Sequence, residues 1–329
     1  MLKVIPVEQA VGMALAHDIT EIVPGKHKGP AFRRGHIVRA EDISKLLDVG
    51  KRNLYVMELE PGELHEEDAA RRLAQAAAGP NLKLTEPVEG RVNLVADISG
   101  LLKIDTELLY QFNALGDLIL ATVPSNRYTR NGDVVAGTRT IPVVVKEELI
   151  KNAEALCKDK PIVTIRPVPS RSVHLIVTGS EVFTGRIKDG FEPIVRRKLS
   201  EMGTELENAK LAPDDPDVIA GHIKDSQRAG AELILVSGGM SVDPDDQSPE
   251  GVRRSGANVE CHGFPILPGS MFLMAYLKET PILGLSGCVL HDPVTALDFL
   301  LPRLMAGEKV KRSDILALGH GGLQQRHDH

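Results

Sequence analysis

Two segments of this chain, 173–178 and 232–237, are apolar nearly throughout, and each runs straight into a glycine turn. A strand that hides both faces in a parallel sheet reads this way, whereas a strand with one wet face alternates. Further strand candidates lie at 205–211, 257–261 and 281–285, with helical patterns between them. Phe191, Ile194, Val195, Leu199 and Met202 recur at helical spacing, and Gly203 closes that helix. Asp215-Pro216 reads as an N-cap followed by proline at the first helical position, with Gly230 at the far end. Ser248-Pro249-Glu250 opens a short third helix. Asp292-Pro293 opens a last one with an apolar face of Val294, Leu297, Leu301 and Leu304, which Pro302 should kink or divide. This alternation predicts a three-layer α/β domain with a mainly parallel sheet and ligands at the carboxyl ends of its strands.

The first 165 residues read differently. A short helix ends at Gly50, the strand-like Leu54-Tyr55-Val56-Met57 follows, and an Ala-rich helix covers 66–78. Short β-prone pieces stand at 92–95, 118–123, 134–136 and 141–145. Strands and helices are segregated, which predicts a smaller α+β region over 1–165. Lys158-Asp159-Lys160-Pro161 and Arg166-Pro167-Val168-Pro169-Ser170, polar and Pro-rich, put a boundary near 160–171, ahead of a domain at 171–307. Residues 308–329 are basic, then Gly-rich, and end in His327-Asp328-His329, which reads as a flexible tail.

With 329 residues, 42% hydrophobic and 26% charged, the chain can build two cores. A net charge of −6 argues against a footprint for a phosphate backbone. With no Trp and 3% aromatic residues there is no base-stacking platform either, so nucleic acid is not expected as a partner. No apolar run approaches the ~20 residues that span a bilayer, and the start Met1-Leu2-Lys3-Val4-Ile5-Pro6 does not read as a signal peptide. A cytoplasmic protein without a membrane partner is expected. Cys157, Cys261 and Cys288 are an odd set with no CxxC pair, which fits a reducing compartment.

Thr178-Gly179-Ser180-Glu181 and Ser237-Gly238-Gly239-Met240-Ser241 leave the two apolar strands. Glycine lets a backbone pass close to a bulky ligand, and N–H groups at a turn or helix start hold an anion without a lysine. Acids border both turns: Asp189 after the first, and Asp243, Asp245 and Asp246 after the second. Acids beside such a cradle call for a divalent metal or a cationic partner. The set points to a phosphorylated small molecule handled with a divalent metal. A plainer reading stays open, in which 243–246 is a solvated loop, Asp246 favours the positive end of the helix at Pro249, and Ser248 is a cap. His65-Glu66-Glu67 has no second histidine four residues after the first, so it is no zinc helix but a solvated helix start.

The ordered set of Thr178-Gly179-Ser180-Glu181, Asp189, Gly203, Asp214-Asp215, Ser237-Gly238-Gly239-Met240-Ser241, Asp246 and Pro268-Gly269 resembles the molybdopterin-binding domain shared by MogA, MoeA, gephyrin and the CinA proteins. The likeness spans 171–307. Val7-Glu8-Gln9-Ala10-Val11-Gly12-Met13, Gly35-His36-Ile37-Val38-Arg39 and His65-Glu66-Glu67-Asp68-Ala69-Ala70 are similar to a MoeA-related bacterial group of molybdopterin-binding proteins. The chain departs from the family at its LPGNP turn, which is Leu285-Ser286-Gly287-Cys288-Val289 here, and it lacks the SAMDGYA-like segment of MoeA.

The resemblance implies molybdopterin, or its adenylylated form, as ligand or substrate. It also implies Mg²⁺ as the metal, molybdate as the species inserted, and self-association as a dimer or trimer. Asp246 matches the acid of the family's GG…D motif and Asp189 a second acidic position, which makes both candidates for catalysis. Asp246 and Glu181 are the metal-side candidates. Thr178, Gly179, Ser180, Glu181, Ser237, Gly238, Gly239, Met240, Ser241, Pro268, Gly269 and Ser270 are the expected cofactor-binding positions. A molybdopterin molybdenumtransferase role is one reading. A non-catalytic carrier or sensor and a CinA-type nucleotide pyrophosphatase are the others.

Overall fold

A computed structural model describes residues 2–23, 27–57, 59–241, 243, 244 and 246–324. Asp245, His327 and His329 lie outside the described residues. The chain divides into two units, one of residues 1–98, 102–125 and 129–165, the other of 99–101, 126–128 and 166–329.

In the first unit, strands Leu2–Pro6 and Asn53–Met57 pair antiparallel, and helix Asp42–Asp48 packs with them. Val7, Leu15, Ile19, Val38, Leu46, Leu54 and Val56 form that lobe's core. A four-stranded antiparallel sheet follows, in the order Leu82–Leu84, Arg91–Ala96, Val134–Thr140, Leu118–Thr122. Along Arg91–Ala96 burial alternates residue by residue, with Val92, Leu94 and Ala96 inward. A strand with one packed face must do this. Helix Glu66–Ala77 covers that inner face through Ala69, Ala70, Leu73, Ala74 and Ala77. The expectation of a solvated helix start at His65-Glu66-Glu67 is corrected. His65 is wholly buried, its Nδ1 accepts from Glu67 N at 3.2 Å as the helix cap, and its Nε2 bonds Ala16 O.

The second unit holds a six-stranded sheet in the order Leu206–Ala212, Val173–Thr178, Leu233–Ser237, Thr280–Leu285, Leu273–Leu277, Asn258–His262. The first four run parallel to their neighbours and the last two antiparallel. Every residue of Val173–Thr178 and Leu233–Ser237 is buried, because both faces of the sheet are covered. On one side Val173, Leu175, Val177, Leu233, Leu235 and Leu283 meet helices Phe191–Ser200 and Ala296–Met305. On the other, Ile176, Ile234, Val236 and Ile282 meet helices Pro216–Arg228 and Ser248–Arg254. The result is three layers.

Some expectations are corrected. The last long helix does not start at Asp292-Pro293. Thr295 caps it instead, accepting from Leu297 N while its own N–H donates to the Asp298 carboxylate at 2.8 Å. Pro302 does not divide that helix, which continues through it to Met305. One lost helical hydrogen bond is outweighed by the buried Leu297, Leu300, Leu301 and Leu304. The tail is ordered as far as it is described. Helix Arg312–Ala317 buries Ile315, and Val310 is wholly buried. Arg303, itself 7% exposed, pairs with Glu308 at 2.8 Å and with Asp314 at 3.3 Å. Tail residue Gln324 donates its N–H to Leu267 O.

Candidate functional site

Parallel pairing of the four strands 206–212, 173–178, 233–237 and 280–285 brings their carboxyl ends out on one edge. From that edge emerge the loops that begin at Pro213, Gly179, Gly238 and Ser286. The register Val177 to Ser237 sets the two glycine turns directly beside each other.

At the first turn Gly179 has φ +136° and caps the one-turn helix Ser180–Phe183. The Glu181 side chain folds back over it, so that a Cβ at Gly179 would lie 3.0 Å from Oε1. Ser180 N–H donates to Asp214 Oδ2 at 2.7 Å, and Asp214 N–H returns a longer bond to Ser180 Oγ at 3.4 Å. Asp214 was not expected at the site; its carboxylate occupies one of the N–H groups that the first turn would offer an anion.

At the second turn Gly238 and Gly239 take φ +86° and +53° in succession. A Cβ on Gly238 would stand 2.4 Å from Thr178 O and 2.9 Å from Thr178 Oγ1, so only glycine allows the turns to approach this closely. Thr178 Oγ1 donates to Ser237 O at 3.0 Å and lies 2.9 Å from Ser248 Oγ. Ser248 N–H donates to Gly239 O. Among the described residues the N–H groups of Gly239, Met240 and Ser241 meet no protein acceptor. Main-chain donors of this kind can hold an anion.

The other expected residues fall as follows. The Met240 side chain is buried, and a Cβ at Gly284 would lie 2.6 Å from its Sδ, so it belongs to the core and can offer a ligand only its main chain. The Ser237 hydroxyl is wholly buried, without a partner among the described residues. Asp189 accepts from Phe191 N at 2.7 Å and Glu192 N at 2.9 Å, which uses both carboxylate oxygens to open helix 191–200. Asp246 is half-buried, and its Oδ2 accepts from Asp243 N at 3.3 Å. Pro268-Gly269-Ser270 lies against the loop that begins at Ser286: a Cβ at Gly269 would be 3.3 Å from Ala296 N and 3.4 Å from Cys288 Sγ. Burial pushes the Cys288 thiol up from its ordinary pKa, with Ser286 Oγ 2.8 Å from the sulfur. Among the described residues no three His, Cys, Asp or Glu side chains converge as a metal group.

An open groove of about 600 Å³ lies in the first unit among Arg72, Gly79, Glu154, Cys157 and Lys160. Its Arg72 is neutralised by Glu154 at 2.7 Å and Glu147 at 2.9 Å, and burial pushes Cys157 up to about 11. Its cysteine is therefore not a reactive thiol.

Residues 174–306 match a family described as a probable molybdopterin binding domain, and residues 4–58 one described as a domain of unknown function. A CinA-like protein of Mycobacterium avium is 36% identical over 88 residues, which is 27% of this chain and 20% of that protein. The chain thus spans about a fifth of the length of the curated relatives it matches. Among solved structures, the molybdopterin biosynthesis enzyme MoaB of Thermus thermophilus is 23% identical, covers 43% of this chain and 99% of its own, and gives a TM-score of 0.35. The MoeA protein of Pyrococcus horikoshii is 14% identical, covers 93% of this chain and 75% of its own, with a TM-score of 0.36. No helix among the described residues is long and apolar enough to cross a membrane. Over residues 174–306 the chain therefore matches the family described as a probable molybdopterin binding domain, and part of the chain is similar to CinA-like proteins.

Proposed function

We propose that this domain binds molybdopterin, or its adenylylated form, between the 178–181 and 237–241 loops and assists Mg²⁺-dependent insertion of molybdate. The observation that supports it most is the close approach of the two glycine turns, with Gly238 packed on Thr178 O and three N–H groups of the second turn uncommitted. A terminal phosphate fits such donors, and the Ser180, Ser241 and Ser270 hydroxyls offer polar contacts to a pterin edge. The acids fit a Mg²⁺ only as an ion shared with the substrate. Such an ion takes one or two carboxylates, keeps waters and completes its shell with phosphate oxygens, and Asp246 and Glu181 are the side chains that would hold it. Bound there, it would neutralise charge on the phosphates. Asp189 and Asp214 act on this reading through the backbone, by fixing the helix and turn that frame the pocket. Self-association as a dimer or trimer belongs to the same proposal.

Asp246→Ala tests it. The variant should fold, retain molybdopterin binding and convert adenylylated molybdopterin at least about tenfold more slowly, a loss of about 1.4 kcal/mol of barrier stabilisation. Identical handling by both proteins would sink the catalytic form and leave a carrier, whose affinity Mg²⁺ should not alter. The CinA-like relatives favour a second reading, hydrolysis of a nucleotide pyrophosphate. Incubation with ADP-ribose and Mg²⁺ separates the two, because release of AMP belongs to that reading alone.

A further inference from the structure

We infer that Thr178 and Ser248 are positioning residues, a buried hydroxyl pair that sets where the second glycine turn, Gly238-Gly239, stands against the first. Thr178 is 3% exposed and Ser248 0%, so neither hydroxyl is offered to a ligand. Thr178 has one proton. It goes to Ser237 O at 3.0 Å, so the 2.9 Å contact between the two hydroxyls requires Ser248 to donate to Thr178 Oγ1. The chain of bonds thus runs Ser248 hydroxyl, Thr178 hydroxyl, Ser237 carbonyl, and joins the start of helix 248–254 to both glycine-bearing strands.

Ser248 is not the helix cap that its sequence position suggests. Gln247 holds the cap position without a side-chain bond, and the Ser248 hydroxyl turns to Thr178 instead. Its N–H donates to Gly239 O, and a Cβ at Gly239 would lie 3.1 Å from its Oγ and 3.5 Å from Thr178 Oγ1. The pair therefore fixes the second glycine turn from beneath, and it fixes Asp246 from two residues away in the chain. Hydroxyls buried from water hold such a geometry because leaving either unpaired is costly. This inference rests on the reading that the loops take molybdopterin.

The test uses the full chain with Thr178→Val, Ser248→Ala, the double variant and Thr178→Ser. Valine keeps the branched shape and removes the hydroxyl. Each single variant should bind molybdopterin about tenfold more weakly. The double variant should be no weaker than either single one, since both break the same chain of bonds. Thr178→Ser, which restores the hydroxyl, should recover affinity. Amide hydrogen exchange at Gly239–Gln247 without ligand should quicken in Thr178→Val and Ser248→Ala, and return in Thr178→Ser. Unchanged exchange in folded Thr178→Val and Ser248→Ala would overturn the inference whether or not ligand binds, as would additive losses in the double variant. Failure of the wild-type protein to bind molybdopterin would instead overturn the ligand assignment, and the exchange result would then decide the inference alone.

Discussion

At the scale of single residues, the site depends on where side chains are missing. Gly238 has Thr178 O where a Cβ would go, 2.4 Å away, whereas a Cβ at Gly185 would meet nothing within 4 Å. Both have positive φ, +86° and +73°. Gly185→Ala should therefore cost about 1 kcal/mol of left-handed strain, and Gly238→Ala about 2–5 kcal/mol because a backbone clash is added. Urea unfolding of the two variants measures the difference, and equal losses would mean that the turns do not touch. The sequence showed that glycines and acids border the strands; it could not show which N–H each acid would take. Asp189 read as a candidate for catalysis and spends its carboxylate as a helix-start acceptor, while Asp214, read only as part of the family's ordered set, holds Ser180 N–H. Both are short-range matters of φ and ψ, which residue type alone does not settle.

At the scale of elements, long apolar runs were the legible part. Strands expected at 173–178 and 232–237 are found as Val173–Thr178 and Leu233–Ser237, and the helix expected from Asp215-Pro216 is Pro216–Arg228 with Asp215 accepting from Asp217 N and Val218 N. Strand Leu273–Leu277 was not foreseen, because a short buried apolar run has no period to declare itself. His174 lies within strand Val173–Thr178, 3% exposed with both ring nitrogens unpartnered among the described residues. Burial holds the His174 and His222 pKa values below the ordinary 6.5. Unfolded, each imidazole takes up its proton near 6.5, so below that pH the unfolded chain binds more protons and stability falls. Urea midpoints should decline from pH 7 to pH 5, and His174→Leu should flatten the decline. A midpoint that rises on acidification would contradict the burial argument.

At the scale of the whole molecule, composition pointed to more than one core and strand–helix alternation to the three-layer domain. Neither could reach the tail beyond Lys309, which is polar in sequence yet anchored by two buried residues, Val310 and Ile315. Its anchoring uses Arg303 of the last long helix, a partner that only tertiary contact reveals. The central claim is that two glycine turns at the carboxyl ends of adjacent parallel strands hold a pterin phosphate. A co-crystal structure of the full chain with molybdopterin tests it most directly. The account predicts the phosphate within hydrogen-bond distance of Gly239, Met240 or Ser241 N–H, with the pterin beside Gly179. Molybdopterin seated elsewhere, or no binding at a ligand concentration that saturates a related domain, would contradict it.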